Sequence, residues 1–303
     1  MSLVVSLGAV DQELVERVLG TGHTLVQEPS DAELAATVGA IVRASVTVDR
    51  AMLDRMPLLR VIARTGVGTE RVDLAAATER GIPVVVTPGS NTNAVAEGAL
   101  ALALHLLKQI RPLTDLVRED RWDQRTLFPL GDIEGSTVGI IGYGRIGRRL
   151  ASVVTAMGAK VLAFDPFADI PAENRVGSVA ELLKASNIVS LHAPLTDENH
   201  HMLNSETLAL LPAGAIVVNC GRGPLIDLDA ALAHLQAGHL GGLGLDVFDA
   251  EPPAHHPVFD HPNVALTPHV MGLSLKAAAQ TFIDAAQGIR DVLDGREPVA
   301  KAN

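Results

Sequence analysis

Three side chains with complementary chemistry stand just past consecutive apolar runs in the second half of the chain. Arg222 follows the run 216–219, Glu251 follows 243–247 and His269 follows 264–267. A guanidinium can hold a carboxylate through two parallel N–H bonds and polarise a carbonyl beside it. An imidazole can give or take a proton near neutrality, and a carboxylate hydrogen-bonded to its other nitrogen fixes its orientation. Together they suit the interconversion of a carbonyl and an alcohol next to a carboxylate, if a hydride carrier is at hand. Singly, each has a plainer explanation. An Arg after a strand is more often half of a surface ion pair, Glu251 before two prolines can be a loop acid, and His269 can cap a carbonyl. Their shared place at strand ends, where open parallel sheets put their ligands, is what singles them out.

The element that would position a hydride carrier lies upstream. Residues 137–147 read Thr-Val-Gly-Ile-Ile-Gly-Tyr-Gly-Arg-Ile-Gly. Val138, Ile140 and Ile141 predict a buried parallel strand. Gly142, Gly144 and Gly147 then form G-x-G-x-x-G running into a helical pattern. Such a turn allows a tight bend, close approach of the backbone to a pyrophosphate, and close helix–strand packing. The helix N-terminus beyond it offers unpaired N–H groups and a positive dipole end. A second strand, 160–164, ends on Asp165, at the spacing where an acid reaches the adenosine ribose hydroxyls. A carboxylate there repels a 2′-phosphate, which favours NAD over NADP.

Composition sets the frame. The chain has 303 residues, enough for two domains, with 48% hydrophobic and 19% charged residues and few aromatics. A net charge of −11 argues against nucleic acid or an anionic membrane as a partner. Cys220 is the only cysteine, so no internal disulfide can form and a reducing cytoplasm is the expected setting. No basic stretch followed by an apolar core opens the chain, and no apolar run is long enough to span a bilayer. The loop histidines 255, 256 and 261 lack ligand spacing, as do 200 and 201, so no metal site is expected.

The coarse pattern is strand–helix alternation throughout, which predicts α/β architecture with parallel sheets. Strands are expected at 3–7, 24–27, 40–43, 60–63 and 83–86, then at 138–141, 160–164, 188–191, 216–219, 243–247 and 264–267. Helices are expected at 11–19, 31–38, 94–108, 111–122 and 274–293. The glycine-rich loop Arg64-Thr65-Gly66-Val67-Gly68 can present N–H groups to a small anion, or serve as an ordinary turn.

Five ordered blocks carry a resemblance: 138–147, Ser190-Leu-His-Ala-Pro194, Val218-Asn-Cys-Gly-Arg-Gly223, Leu245-Asp-Val-Phe248 with Glu251-Pro252, and Thr267-Pro-His269. With them the chain resembles the D-isomer-specific 2-hydroxyacid dehydrogenases over nearly its whole length. The resemblance implies two doubly wound parallel-sheet domains, a flavodoxin-like substrate domain (1–93 plus 273–303) and a Rossmann NAD-binding domain (94–272). It implies Arg222, Glu251 and His269 as the catalytic trio. NAD would meet Arg145, Ile146 and Asp165 on its adenine half, with further contacts at Val67, Gly142, Gly144, Gly147, Ala193, Cys220, Gly221 and Asp246. The loop Gly66, Val67 and Gly68, with Arg64 beside it, corresponds to the family's carboxylate-binding loop. Arg222 and His269 would also touch substrate. The resemblance further implies a homodimer through the NAD-binding domains, with the segment around Trp122 reaching the partner.

The sequence departs from the family pattern in places. Glu70-Arg71 replaces an acid–Asn pair, and Met271 stands where glycine or alanine is usual. No Gln precedes Pro268-His269, which disfavours formate as substrate. The sequence shows no regulatory domain of the kind some phosphoglycerate dehydrogenases carry, so serine feedback through one is not expected. The activity implied is an NAD-dependent D-2-hydroxyacid dehydrogenase or 2-ketoacid reductase acting on a small anionic acid. Phosphoglycerate is the leading single substrate, with Arg43, Ser45 and Thr47 as phosphate ligands; glyoxylate or hydroxypyruvate reduction is close behind. A different class of reading is an NAD(H)-sensing corepressor-like binder of the same fold, disfavoured because no basic patch or disordered tail is present.

Overall fold

The computed structural model describes residues 2–303. The strands are β1 (Ser2–Leu7), β2 (His23–Gln27), β3 (Gly39–Val42), β4 (Val61–Arg64), β5 (Val84–Val85), β6 (Thr137–Ile141), β7 (Lys160–Phe164), β8 (Ile188–Leu191), β9 (Ala215–Asn219), β10 (Leu240–Leu245) and β11 (Val264–Leu266). The α-helices are α1 (Gln12–Leu19), α2 (Asp31–Ala36), α3 (Arg50–Asp54), α4 (Leu74–Glu79), α5 (Thr92–Leu107), α6 (Ile110–Arg118), α7 (Arg145–Ala156), α8 (Val179–Ala185), α9 (Ser205–Leu208), α10 (Leu228–Gln236) and α11 (Leu275–Leu293). The chain divides into one compact unit of Met1–Asn91 with Leu273–Asn303 and another of Thr92–Gly272.

The first unit holds a parallel sheet in the order β2-β1-β3-β4-β5, the flavodoxin-like order. Its central strands are apolar on both faces, as burial between two helix layers requires. Val4, Ile41, Val61 and Ala63 pack with Phe282, Ala285 and Ile289 of α11, while Val5, Val42 and Ile62 face Leu53, Ala76 and Ala77. The C-terminal residues cover the β5 edge. Lys301 bridges Val85 antiparallel, Ala302 N–H donates to Val84 O at 2.8 Å, and Asn303 Oδ1 accepts the Val84 N–H at 2.8 Å. The edge backbone is thereby paired, not left as a template for another chain.

The second unit holds six parallel strands ordered β11-β10-β9-β8-β6-β7. Beyond β7 an isolated parallel bridge joins Ala163 to Arg175, a one-residue continuation of the sheet. Counting that bridge as a third position, the order is the Rossmann one with an added strand, and it reverses between β6 and β8.

Most element limits follow the apolar periodicity, but three do not. The fifth strand of this unit runs Leu240–Leu245, earlier than 243–247; its pairing slips at Gly241, and Asp246 and Val247 already belong to the loop. The expected helix at 111–122 breaks after Arg118. Asp120 turns left-handed at φ 54°, and a 3₁₀ segment, Trp122–Leu127, follows. In the first unit β5 shrinks to two residues, with Val86 leaving the ladder to bond Ala300 O.

Helix starts separate structure from ligand. Asp11, Ser30, Asp49, Asp73, Ser178, Asn204, Asp227 and Ser274 each accept an N–H of their own helix with the side chain. Such caps stabilise by about 1 kcal/mol each. Helices α6 and α7 lack such a cap: the N-cap of α6 is Gln109, and that of α7 is Gly144, the middle glycine of the dinucleotide turn.

Candidate active site

The turn between β6 and α7 lies at the reversal of strand order. Gly142 has φ +93°, and a Cβ there would lie 2.5 Å from Ala193 N, so the β6 and β8 loop backbones meet where only glycine fits. At Gly147 a Cβ would lie 2.1 Å from Gly142 O, the close packing that ties α7 to the turn. Gly144 has nothing within 4 Å of its absent Cβ, and it is exposed together with Arg145, whereas Ile146 is half-buried. A 12-residue helix with no side-chain cap, open space at its Gly144 N-cap and backbone N–H groups at its mouth make a cradle that fits a pyrophosphate.

Asp165 at the end of β7 closes this turn. Its Oδ2 accepts the Tyr143 N–H at 2.7 Å, and Oδ1 accepts the N–H groups of Phe167 and Ala168, each at 2.9 Å. Burial works to raise its pKa, but these donors and Arg148 outweigh it and hold the carboxyl below its ordinary range. The group is an anion at neutrality. The tie to Tyr143, between two glycines of the turn, has no signature in the sequence beyond the spacing of the acid.

After β8 comes the imidazole of His192. Its Nε2 lies 2.9 Å from Ser190 Oγ, its Nδ1 is buried, and burial pushes its pKa down to about 4. It is neutral at pH 7. After β9, Asn219 is fully buried and shapes the next loop: its Oδ1 accepts the Gly221 N–H at 3.0 Å and its Nδ2 donates to Arg222 O at 2.8 Å. Arg222 is half-buried, and one of its guanidinium nitrogens donates to Gly221 O at 2.8 Å. Cys220 beside it has its thiol pKa pushed up by burial and by Asp246, so it is no nucleophile at neutrality.

Glycine contacts knit the strand-end loops together. A Cβ on Gly221 would lie 2.9 Å from Ala193 O, and one on Gly223 would lie 2.0 Å from the Phe248 carbonyl carbon. Phe248 N–H donates to Glu251 Oε1 at 3.2 Å, and Glu251 Oε2 lies 2.7 Å from His269 Nδ1. The structure thus joins the Ala193, Gly221–Gly223, Phe248–Glu251 and His269 loops on one edge of this sheet. With Nδ1 engaged by Glu251, Nε2 is the imidazole nitrogen available to a reacting group, and half of the His269 side chain is exposed. His269 itself sits at φ 52°, a left-handed conformation that needs support. Asp246, almost fully buried, supplies it: Oδ1 accepts the Thr267 hydroxyl at 2.7 Å and the Val270 N–H at 2.9 Å, and Oδ2 accepts the Met271 N–H at 3.2 Å.

In the first unit Arg64 is buried with its guanidinium over main-chain carbonyls, Nη1 3.4 Å from Val42 O and from Thr65 O and Nη2 3.5 Å from Ala44 O. It braces the β3 and β4 ends from within. Gly66 has φ +127°, and its N–H is taken by the Thr87 hydroxyl at 2.8 Å. Val67 is exposed and Gly68 half-buried. Among the described residues no group of three or more His, Cys, Asp or Glu could hold a metal ion, and no helix is long and apolar enough to cross a membrane.

Residues 100–271 match the family model for the NAD-binding domain of D-isomer-specific 2-hydroxyacid dehydrogenases. The chain belongs to this family. It is 39% identical over 260 residues to D-3-phosphoglycerate dehydrogenase of Mycobacterium tuberculosis, covering 84% of this chain and 49% of that one. It is 35% identical over 265 residues to glyoxylate reductase of Thermofilum pendens, covering 84% and 78%. Among solved structures it is similar to D-lactate dehydrogenase from Aquifex aeolicus complexed with NAD and lactic acid, at 28% identity and a TM-score of 0.83, covering 97% and 96%. The chain spans about half the length of the phosphoglycerate dehydrogenases it matches.

Proposed function

We propose that the chain is an NAD-dependent D-2-hydroxyacid dehydrogenase working as a 2-ketoacid reductase, and that Arg222, Glu251 and His269 perform its chemistry. The observation that carries this reading is the Glu251–His269 contact at 2.7 Å, on a sheet edge shared with the Arg222 loop and the dinucleotide turn. When bound, NADH supplies the hydride. Gly142, Gly144, Arg145, Ile146 and Gly147 would hold the pyrophosphate end, Asp165 the ribose, and Ala193, Cys220, Gly221 and Asp246 the remainder.

Arg222 binds the substrate carboxylate and polarises the neighbouring carbonyl. His269 Nε2 donates a proton to the oxygen that becomes the hydroxyl, while Glu251 keeps the ring oriented and balances the charge it carries before the transfer. In the reverse direction the same nitrogen removes the hydroxyl proton. In the first unit the Thr87 hydroxyl accepts the Gly66 N–H, and the Val67 and Gly68 N–H groups of the glycine loop would meet an anionic substrate. We read that unit as substrate-binding and the second as cofactor-binding, and place the protein in the cytoplasm. Trp122, Leu127 and Leu130 are exposed on the segment after α6. Exposed apolar side chains clustered there support a homodimer.

Substrate choice rests on the first unit. The Arg43 guanidinium lies 5.2 Å over the Phe282 ring, with Ser45 and Thr47 exposed nearby in sequence. We favour 3-phosphoglycerate and its ketoacid, with glyoxylate and hydroxypyruvate next. The deciding experiment is NADH oxidation with phosphohydroxypyruvate, hydroxypyruvate, glyoxylate, pyruvate and 2-ketoisocaproate. Turnover of one acid well above the rest is expected; tight NADH binding with no turnover of any would favour a nucleotide-sensing role.

Asp165→Ser tests the cofactor assignment. Loss of the anion should narrow the NADH-over-NADPH preference in kcat/KM by about tenfold or more, since 1.4 kcal/mol is a factor of ten. KM for NADH should also rise, because the Tyr143 N–H loses its acceptor. An unchanged preference would mean that the carboxylate serves the turn alone.

A further inference from the structure

The left-handed backbone of His269 is disfavoured for any residue with a Cβ and persists only where its surroundings over-determine it. Asp246 holds this loop by hydrogen bonds from residues 267, 270 and 271. A second hold is purely steric. Gly98 lies buried on α5, and a Cβ built there would sit 2.4 Å from Met271 Sδ and 2.6 Å from Met271 Cβ and Cγ. The Met271 side chain fills the space any other residue at 98 would need. It packs on the cluster that contains Ala96, Ala99 and Leu102. The backbone of Met271 is fixed by Asp246 and its side chain by α5, two residues from the imidazole. Helix α5 in turn packs on β9, β10 and β11, the strands that carry Arg222, Asp246 and His269 at their ends. A displaced Met271 therefore moves the His269 loop relative to a frame that stays put.

We propose that Met271, seated in the socket Gly98 leaves on α5, is a positioning residue for the His269 imidazole, and that Gly98 is glycine for this reason. The inference rests on the reading of His269 as the acid–base group. Methionine suits the seat because its unbranched thioether adapts to an irregular gap, whereas the backbone of α5 cannot yield.

The test is a cycle of Gly98→Ala, Met271→Ala and the double variant, each checked for folding by thermal unfolding. Gly98→Ala is expected to lower kcat for ketoacid reduction by about tenfold to a hundredfold, because misplacement by about 1 Å is that costly. NADH Kd, read by cofactor fluorescence, should stay within about twofold, as the dinucleotide turn is untouched. The double variant should recover to about the level of Met271→Ala alone, since shortening the side chain removes the clash. Wild-type kcat in Gly98→Ala, or a double variant no better than Gly98→Ala, would overturn the proposal. If Gly98→Ala fails to fold, failure of the double variant to restore folding would overturn it equally. An activity-free readout separates this from the catalytic reading. The His269 ring signal in the NMR spectrum of ring-labelled protein, identified by its loss in His269→Gln, should shift in Gly98→Ala and move in the double variant to the position it has in Met271→Ala. An unmoved ring signal refutes the seat; full turnover in His269→Gln refutes the catalytic reading alone.

Discussion

Replacing His269 by glutamine is expected to lower turnover by about 10²- to 10⁴-fold, the range that a positioned acid–base group contributes. Glutamine can still donate an amide hydrogen to Glu251, so the loop keeps its polar tie. What it lacks is a ring nitrogen that can hand a proton to the substrate oxygen and take it back. The loss corresponds to about 3–5 kcal/mol of barrier, appearing in kcat and kcat/KM together. NADH affinity should stay nearly unchanged, because the turn at Gly142–Gly147 and the Asp165 contacts lie on other loops. Stopped-flow turnover with the preferred ketoacid and fluorescence titration of NADH read the two quantities separately. Unaltered turnover would remove His269 as the proton donor and leave the Glu251 contact a structural one.

The same residues show how far a sequence can be read. The strands were legible to within a few residues because continuous apolar runs are a local signal, and the topology rule then places Arg222, Glu251 and His269 on one edge of the sheet. The dinucleotide turn was legible because its glycines each answer a local steric demand. Asp165 was legible as an acid at the right spacing, yet its hold on the Tyr143 N–H was not, because that bond joins backbone and side chain 22 positions apart. Arg64 reads as an anion ligand beside a glycine loop; in the fold its guanidinium nitrogens face carbonyls of the β3 and β4 ends. The helix expected at 111–122 failed because periodicity does not register a left-handed residue such as Asp120. The Gly98–Met271 seat joins residues 173 positions apart, and neither carries a local signal beyond an unexpected methionine. Local patterns expose elements and their ends, whereas steric seats and long-range clamps appear only when the strands are placed.

Arg222→Lys is expected to be nearly as damaging as loss of the imidazole, although it keeps the charge. The backbone at 222 cannot adjust to a shorter reach. Asn219 clamps it from one side through Gly221 N–H and Arg222 O, and on the other a Cβ on Gly223 would lie 2.0 Å from the Phe248 carbonyl carbon, so the two loops are closely packed there. Lysine brings a single compact ammonium to this fixed point, so a planar carboxylate loses one of two parallel N–H bonds, and the tether to Gly221 O loses its geometry. A charge-assisted hydrogen bond contributes about 1.5–3 kcal/mol, and with the misaligned partner the loss in kcat/KM should be about 30- to 1000-fold. Both KM and kcat should suffer if Arg222 acts as proposed, holding the carboxylate in the ground state and polarising the adjacent carbonyl in the transition state. NADH Kd should hold. A variant with near-normal kcat/KM would show that a point charge suffices and that the fork is not what reads the acid. A variant with raised KM but intact kcat would confine Arg222 to binding, leaving His269 as the group that acts on the carbonyl oxygen.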